Sequence, residues 1–207
     1  DPVPVGAASI AQVHRAITSD GRTVAVKMLR PGIREQFARD IATYEWAAAH
    51  VEAMGGEAAR LRPSLTIANF KRWTNSELDL RREAAAASEL AEVMKGFAGY
   101  RIPEVDWDRT NGRVLTIGWI DGIKMSNRAA LLEAGHDLDK IAERLVLAFL
   151  TQAISHGYFH ADMHQGNLFV EPDGTIAAID FGIMGRIDRR ARQWLAEILY
   201  GLTTGNY

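Results

Sequence analysis

The sequence predicts an α+β protein with two lobes, in which the first lobe combines β-hairpins with inserted helices and the second is mostly helical. Three observations support this class. β-rich runs flank Asp20-Gly21 and Asn111-Gly112, which are turn signals of hairpins. Long helical patterns lie between these hairpins, and helical patterns dominate after residue 120. We therefore expect a first lobe over residues 1–120 and a second over residues 121–207.

The first lobe should begin with one hairpin and continue into helices that are inserted before a second hairpin. The helical patterns are broken at Gly55-Gly56 and start again at Pro63. The predicted strands cover residues 8–17, 23–29, 104–107 and 113–119, and the predicted helices cover residues 33–60 and 63–95. This order predicts a helical insertion in the small lobe.

The second lobe should consist of a long helix, a third hairpin and a final helix. The long helix covers residues 138–156 and ends at Gly157 in a C-cap position. The hairpin pairs residues 168–170 with 176–179, and the final helix begins at Arg189. Because the chain starts with Asp-Pro instead of Met and stops inside this helix, we expect a fragment truncated at both ends.

The composition excludes several classes of function. The chain has no cysteines, so disulfides and thiolate metal sites are excluded. A net charge of −2 gives no electrostatic indication of nucleic-acid binding. The longest apolar segment, residues 145–154, is interrupted by Thr151 and Gln152 and is far shorter than the roughly 20 apolar residues of a membrane-spanning helix. These properties are typical of an ordinary soluble globular protein.

The strongest functional signal is the segment His-Ala-Asp-Met-His-Gln-Gly-Asn at residues 160–167, followed by Asp-Phe-Gly at residues 180–182. Protein kinases carry H-R-D-x-x-x-x-N and then D-F-G. Phosphoryl transfer from ATP needs hard oxygen ligands for Mg²⁺ and a carboxylate close to the attacking oxygen. We expect Asn167 and Asp180 to hold Mg²⁺ and Asp162 to orient the nucleophile. The sequence thus predicts a protein-kinase-like fold that binds ATP and Mg²⁺.

Two alternatives remain open for these residues. Each of Asp162, Asn167 and Asp180 could be an ordinary turn or strand-end residue, although their shared spacing favours a common role. His160, Asp162 and His164 also alternate in a pattern that could bind zinc or iron. That metal site would leave Asn167 and the Asp-Phe-Gly segment unexplained. We therefore expect His160 to be a packed, hydrogen-bonded anchor of the loop.

A second signal is the segment Val-Ala-Val-Lys, which ends at Lys27 and matches the kinase strand Val-Ala-Ile-Lys. A lysine on such a strand neutralises the α- and β-phosphates of ATP. It needs a carboxylate partner on a helix, and Glu77, Asp79 and Glu83 are the candidates. Asp79 and Glu83 are four residues apart and should share a helix face. A plain solvated helix, with Arg81 and Arg82 as ionic partners, is the alternative.

Together these motifs resemble the UbiB/AarF family of atypical kinases, which support ubiquinone biosynthesis. The resemblance rests on Ala-Ala-Ser-Ile-Ala-Gln-Val-His at residues 7–14, on Val-Ala-Val-Lys, on Glu-Leu-Asp-x-x-x-Glu and on the His-Ala-Asp segment, and it covers essentially the whole chain. It implies that Glu83 pairs with Lys27 and that Glu77 and Asp79 form a regulatory acidic E-x-D motif. It also implies a nucleotide loop at Ala7, Ala8 and Ser9 and an adenine hinge at Trp119 and Ile120.

The resemblance also implies a cellular setting. The implied partners, besides the nucleotide, are an anionic lipid membrane and quinone-biosynthesis proteins, on the cytoplasmic side of a bacterial inner membrane. The family's K-x-G-Q segment, the first strand of the nucleotide hairpin and any C-terminal membrane segment are missing from the sequence. Four arginines near the last helix are a solvated helix start or a contact for lipid headgroups. They are Arg186, Arg189, Arg190 and Arg192.

Two departures from protein kinases argue against phosphorylation of other proteins. Ala161 replaces the arginine that pairs with an activation-loop phosphate. A new helix begins by Arg189, and no Ala-Pro-Glu segment follows Gly182. Three functions remain open: an ATPase-like protein that serves handling of quinone precursors, a phosphotransferase for a small molecule, and a nucleotide-binding scaffold without turnover. The intact motif residues speak against the scaffold.

Overall fold

The computed structural model describes residues 1–206, which form two compact units. The first unit contains residues 1–82 and 107–116, and the second contains the rest of the described chain. This division follows the density of contacts, whereas the lobe boundary at residue 120 follows the kinase pattern. The lobe boundary therefore stays a prediction.

The first unit is built on a four-stranded sheet in the order β1-β2-β3-β5. Its strands are β1 (Gly6–Ala7), β2 (Ala11–Ile17), β3 (Thr23–Leu29) and β5 (Val114–Gly118), while β4 belongs to the second unit. Strands β2 and β3 pair antiparallel from Ala11 opposite Leu29 to Ile17 opposite Thr23, which confirms the first predicted hairpin. The expectation that the first strand of the nucleotide hairpin is missing was wrong, because β1 fills that position. β1 is only two residues long, too short for an alternating pattern, yet it pairs with β2.

Helices follow β3 as the sequence predicts, with one difference. They are α1 (Ile33–Ala53), α2 (Gly56–Arg60), α3 (Pro63–Glu77) and α4 (Leu80–Val93). The break at Gly55-Gly56 is confirmed, and Pro63 occupies the first turn of α3, where its missing N–H costs nothing. The predicted continuous helix over residues 63–95 is instead divided at Leu78-Asp79.

The second predicted hairpin forms only in part. β5 is present, but the partner segment is reduced to one bridge between Val105 and Ile117, and residues 107–109 turn into a short 3₁₀ helix. The side chain of Thr110 supplies a local substitute for a strand partner, since its hydroxyl accepts the backbone N–H of Thr116 at 3.1 Å. The tight turn itself is confirmed, because the Asn111 side chain accepts the backbone N–H of residue 113 at 2.8 Å.

The second unit holds a four-stranded sheet in the order β4-β9-β8-β6 and a two-stranded sheet of β7 and β10. The strands are β4 (Tyr100–Arg101), β6 (Ile123–Lys124), β7 (Tyr158–His160), β8 (Leu168–Val170), β9 (Ile176–Ala178) and β10 (Met184–Arg186). The antiparallel pairing of β8 with β9 confirms the third predicted hairpin. The other four strands are two or three residues long and were not predicted.

Three helices complete the second unit, namely α5 (Arg128–Glu133), α6 (Leu138–Leu150) and α7 (Arg189–Thr204). The predicted long helix ends at Gly157 with a left-handed φ of 71°, as expected, but its last turn, Thr151–His156, is π-helical. The most buried side chains include Leu168, Val170 and Phe181. Within residues 1–206, no helix is both long enough and apolar enough to cross a membrane.

Candidate functional site

The loop after β7 is closed on itself by hydrogen bonds around Asp162. The carbonyl oxygen of Asp162 accepts the backbone N–H of His164 at 2.9 Å and the side-chain amide of Asn167 at 3.2 Å. The same amide lies 3.4 Å from the carboxylate of Asp162. The structure therefore brings Asp162 and Asn167 together, and the orientation of each depends on the other.

Asp180 reaches this loop through the β8–β9 hairpin. The ladder pairs Leu168 with Ala178, and the backbone N–H of Ile179 then donates to the carbonyl of Asn167 at 3.1 Å. Asp180 is the next residue, and its carboxylate accepts the backbone N–H of Gly182 at 3.0 Å. The hairpin thus places Asp180 at the end of the strand that lies beside Asn167.

These residues supply a donor set that fits Mg²⁺. Asn167 turns its amide nitrogen toward Asp162, so its amide oxygen is the atom left for a cation. Asp180 adds a carboxylate, and both groups are hard oxygen donors of the kind that Mg²⁺ prefers. Mg²⁺ usually completes its coordination with water and phosphate oxygens, so two protein ligands are sufficient.

His160 is buried behind the loop, with 1% of its surface exposed. Its Nδ1 accepts the backbone N–H of Asp162 at 3.1 Å, and its ring lies 5.8 Å from that of Phe181, centroid to centroid. Burial lowers the pKa of His160, while the Asp180 backbone and the charges of Asp180 and Asp162 oppose this shift. The expectation that His160 is a packed, hydrogen-bonded anchor is confirmed.

The alternative metal site does not form. Among residues 1–206, no group of three His, Cys, Asp or Glu residues is arranged to hold a metal ion. His160 commits Nδ1 to the backbone of Asp162, and His164 commits Nδ1 to the backbone N–H of Gly166 at 3.0 Å. The zinc or iron hypothesis fails because two of its three side chains stabilise the loop itself.

In the first unit, Lys27 lies on β3 in the same cross-strand row as Gly6 on β1. Val13 pairs with Gly6 on one side and with Lys27 on the other. Residues directly opposite each other on neighbouring strands lie on the same face of a sheet. Gly6, Val13 and Lys27 therefore form one row, and the predicted phosphate lysine shares a sheet face with the residue that precedes the alanine-rich loop.

The predicted nucleotide loop is a tight turn between β1 and β2, although Ala7 itself belongs to β1. The backbone N–H of Ala8 donates to the carbonyl of Ala11 at 2.9 Å. Arg30, the residue after β3, holds the turn, since its Nε donates to the carbonyl of Ala8 at 3.0 Å and its backbone N–H to that of Ile10 at 2.9 Å. The N–H of Ala8 is thus committed to the turn, which leaves Ser9 at its tip.

The E-x-D segment coincides with the break between α3 and α4. Glu77 ends α3, and Asp79 precedes α4, where its carboxylate accepts the backbone N–H of Arg81 at 3.2 Å. The Arg81 guanidinium also donates to Asp79 at 2.9 and 2.6 Å, and these hydrogen bonds lower the pKa of Asp79. The expectation that Asp79 and Glu83 share a face of one helix was wrong, because Asp79 lies outside α4.

Residues far away in sequence stabilise this break. Nη2 of Arg34 on α1 donates to the carbonyls of Leu78, at 2.5 Å, and Gly112, at 2.8 Å. The backbone N–H of Leu80 donates to the same Gly112 carbonyl at 3.3 Å. A Cβ at Gly112 would lie 3.2 Å from the carboxylate of Asp79, so the turn packs closely against the acidic motif.

The remaining predicted residues belong to the second unit. Glu83 is on α4 and is 7% exposed, Ile120 is 8% exposed, and Trp119 lies between β5 and Ile120. Glutamate side chains are seldom buried unless they are paired. The pairing of Glu83 with Lys27 stays a prediction, as does the role of Trp119 and Ile120 as a hinge.

The arginine cluster is engaged within the second unit. Arg186 forms an ion pair with Glu89 and lies over the ring of Tyr158 at 4.3 Å, and Arg190 lies over the ring of Trp194 at 4.6 Å. Arg192 donates to the carbonyl of residue 155 at 2.7 Å. Three of the four arginines therefore have partners in the protein, which weakens the argument for a free basic surface.

Comparison with known proteins decides the family. The model of the ABC1 atypical kinase-like domain matches residues 1–207. The chain belongs to the ABC1 atypical kinase-like family. Among curated relatives, a probable protein kinase UbiB of Marinobacter nauticus is 38% identical over 210 residues, which cover 100% of this chain and 38% of that protein. The predicted resemblance to the UbiB/AarF family is thereby confirmed.

A second curated relative also matches nearly the whole chain. The uncharacterized protein Rv0647c of Mycobacterium tuberculosis is 41% identical over 203 residues, which cover 96% of this chain and 41% of that protein. This ABC1 chain thus spans about two fifths of the length of the curated relatives it matches.

Solved structures confirm the kinase-like α+β fold. Rv3197 of M. tuberculosis, solved in complex with erythromycin, has a TM-score of 0.71 and 31% identity, with 90% of this chain and 46% of that chain covered. The Rio2 kinase of Chaetomium thermophilum, solved with ADP, Mg²⁺ and phosphoaspartate, has a TM-score of 0.53 and 18% identity, with 88% and 48% covered. The second likeness concerns the fold alone.

Proposed function

We propose that this ABC1 domain binds ATP with Mg²⁺ and transfers the terminal phosphoryl group to water or to a small acceptor. One observation carries the proposal: the side-chain amide of Asn167 bonds to both the carbonyl and the carboxylate side of Asp162, at 3.2 and 3.4 Å. A turn needs only one of these contacts. The double contact couples the orientation of the Asp162 carboxylate to the residue proposed to hold the cation, and phosphoryl transfer depends mostly on positioning of this kind.

Each residue has a separate task in this proposal. Asp162 would orient the attacking hydroxyl or water, and Asn167 and Asp180 would hold Mg²⁺, which when bound neutralises charge on the phosphates. Lys27 would neutralise the α- and β-phosphates as a point charge. Ala8 and Ser9 would form the loop over the nucleotide. The buried His160 would keep the loop in shape without contact to the substrate.

We further propose that turnover supports the biosynthesis of ubiquinone or another isoprenoid quinone, on the cytoplasmic side of a bacterial inner membrane. The match to proteins named probable protein kinase UbiB supports this role. Ala161 supports an acceptor other than protein, because the loop lacks the arginine that would receive an activation-loop phosphate. The E-x-D acids Glu77 and Asp79 would then serve regulation.

A second candidate is a phosphotransferase for a small molecule. Rv3197, with 31% identity over 90% of this chain, was solved in complex with erythromycin. A relative that holds a small molecule favours a site that accepts one. A nucleotide-binding scaffold without turnover is the third possibility, and the motif residues argue against it.

A product assay separates these functions. Full-length protein is incubated with Mg-[γ-³²P]ATP and with membrane vesicles, with erythromycin, or with neither. Free phosphate, labelled lipid, labelled erythromycin and labelled protein are then separated. We expect free phosphate or a labelled small acceptor in the wild type and none in Asp162→Asn. Equal turnover in Asp162→Asn would overturn the catalytic assignment, and absence of turnover in every arm would favour the scaffold.

A further inference from the structure

The π-helical turn at the end of α6 carries a buried polar residue that the proposed mechanism does not use. Gln152 is completely buried and lies in this six-residue turn, Thr151–His156, directly before β7. π-helical turns are rare in proteins, but a large share of those that do occur lie at functional sites. A buried side-chain amide must also be compensated by hydrogen bonds, because burial of a polar group without them costs free energy.

Hydrogen bonds connect Gln152 to the catalytic loop. The Gln152 side-chain oxygen accepts the backbone N–H of His160 at 3.0 Å. Nδ1 of His160 in turn accepts the backbone N–H of Asp162 at 3.1 Å. The orientation of the amide follows from chemistry, because only its oxygen can accept from a backbone N–H. The same reasoning makes Nδ1 of His160 the unprotonated ring nitrogen.

The other end of the amide makes no comparable bond. Nε2 of Gln152 is buried, and within residues 1–206 it interacts with the Tyr100 hydroxyl only outside standard hydrogen-bond geometry. The hydroxyl of Tyr100 is also buried without a partner of standard geometry. The acceptor oxygen therefore makes the well-formed bond to the loop, while the nitrogen has only the weaker interaction with Tyr100.

We propose that Gln152 is a positioning residue for the catalytic loop. The π-helical turn brings its amide oxygen to the backbone of His160, and His160 passes the constraint to the backbone of Asp162. The proposal rests on the proposed function, in which Asp162 orients the nucleophile. It predicts that the acceptor oxygen at position 152 affects the chemical step and leaves nucleotide binding unchanged.

Steady-state kinetics of the full-length protein tests the proposal with three variants. Gln152→Met keeps the length and removes the acceptor, Gln152→Glu keeps an acceptor oxygen, and Tyr100→Phe removes only the hydroxyl that interacts with the amide nitrogen. In Gln152→Met we expect kcat to fall about tenfold to hundredfold, as for a group misplaced by about 1 Å. KM for ATP should stay the same, because Gln152 does not contact substrate. Gln152→Glu should restore most of kcat, and Tyr100→Phe should keep it.

A second readout does not depend on turnover. In protein labelled with ¹⁵N-histidine, the ring nitrogens of His160, assigned by loss of signal in His160→Gln, should report a single neutral tautomer with the proton on Nε2. Gln152→Met should broaden or average these signals, and Gln152→Glu should retain them. A general loss of structure would change the other histidine signals as well.

The outcomes separate the two proposals. Turnover in wild type, its loss in Asp162→Asn and unchanged kcat in Gln152→Met would overturn the role of Gln152 and leave the proposed function intact. Equal loss in Gln152→Met and Gln152→Glu would also overturn it, because the acceptor would then be irrelevant. If the wild type shows no turnover, the proposed function fails. In that case the His160 signals still test the role of Gln152: if they are unchanged in Gln152→Met, Gln152 does not position His160.

Discussion

Replacement of Arg34 by methionine should destabilise the first unit and disturb the acidic E-x-D segment. Arg34 donates from α1 to the carbonyls of Leu78 and Gly112, at the break between α3 and α4. Both bonds come from a charged donor, and the side chain is partly buried. Methionine has a similar length and no donor, so Arg34→Met removes the hydrogen bonds while it preserves most of the packing.

The magnitude follows from the two carbonyls. A hydrogen bond from a charged group contributes about 1.5–3 kcal/mol, and less where water can replace the donor. Leu78 is 4% exposed, so its carbonyl should lose nearly the full value. The half-buried Gly112 carbonyl should lose less, because water and the N–H of Leu80 remain as partners. We expect a loss of about 2–3 kcal/mol in total, and a smaller loss in Arg34→Lys, which keeps N–H donors but lacks the rigid planar guanidinium that holds them in place.

Native-state hydrogen exchange measures this change locally. The backbone N–H of Leu80 bonds to Gly112, so its protection reports the opening of the break. A loss of 2–3 kcal/mol corresponds to about 30- to 150-fold faster exchange. Arg39→Met, at an exposed position on the same helix, is the matched control. Exchange in Arg34→Met as slow as in Arg39→Met would refute the argument that Arg34 stabilises the break.

Three further predictions concern the site and its surroundings. Asp180→Asn should abolish Mg²⁺-dependent ATP binding in isothermal titration, while the fold survives because asparagine can still accept the backbone N–H of residue 182. Ala8→Gly should change nucleotide affinity and increase self-labelling by ATP, because loss of the methyl group frees φ while both backbone hydrogen bonds remain. Burial raises the pKa of Tyr100 from 10.0 to about 12. The contribution of the neutral Tyr100 hydroxyl to stability is therefore complete below pH 10 and is lost as the pH rises toward 12. The unfolding free energy should therefore decrease above pH 10 by up to about 2–3 kcal/mol more in wild type than in Tyr100→Phe.

Each of these predictions has a control. Unchanged Mg-ATP affinity in Asp180→Asn would remove Asp180 from the cation site. Ala58→Gly, at an exposed position in α2, is compared with Ala8→Gly, and equal affinity and labelling in both would show that the Ala8 methyl only fills space. Tyr200→Phe, at a position 68% exposed, is compared with Tyr100→Phe. Identical alkaline unfolding profiles in wild type and Tyr100→Phe would contradict the buried location of the hydroxyl.

Residues close together in sequence determined most of the elements. Asp20-Gly21 and the strands beside it predict the pairing of β2 with β3, and Asp173-Gly174 does the same for β8 and β9. The final helix begins where Asp188 accepts the backbone N–H of Ala191 at 2.8 Å, which is an ordinary N-cap. Such signals act over a few residues, so they do not depend on the rest of the fold.

The spacing of the motif at residues 160–167 also determined a local geometry. Asn167 lies five positions after Asp162, and the hairpin that follows returns the chain to Asn167 just before Asp180. The sequence was therefore sufficient to predict which residues of the loop lie together. Gln152 left one visible signal, a polar residue within an apolar helix segment, but nothing in the sequence indicates that it contacts His160.

Only the tertiary structure decided where the helices break and what lies behind the loop of residues 160–167. The pattern of residues 63–95 is helical throughout, yet the chain breaks at Leu78-Asp79. The break is held by Arg34 and by Gly112, and Arg34 is 44 residues from Leu78 and 78 residues from Gly112. Gln152 in the π-helical turn likewise accepts the backbone N–H of His160, eight residues away on β7. Local periodicity carries no information about such bonds, because the free energy that favours them comes from partners that only folding brings together.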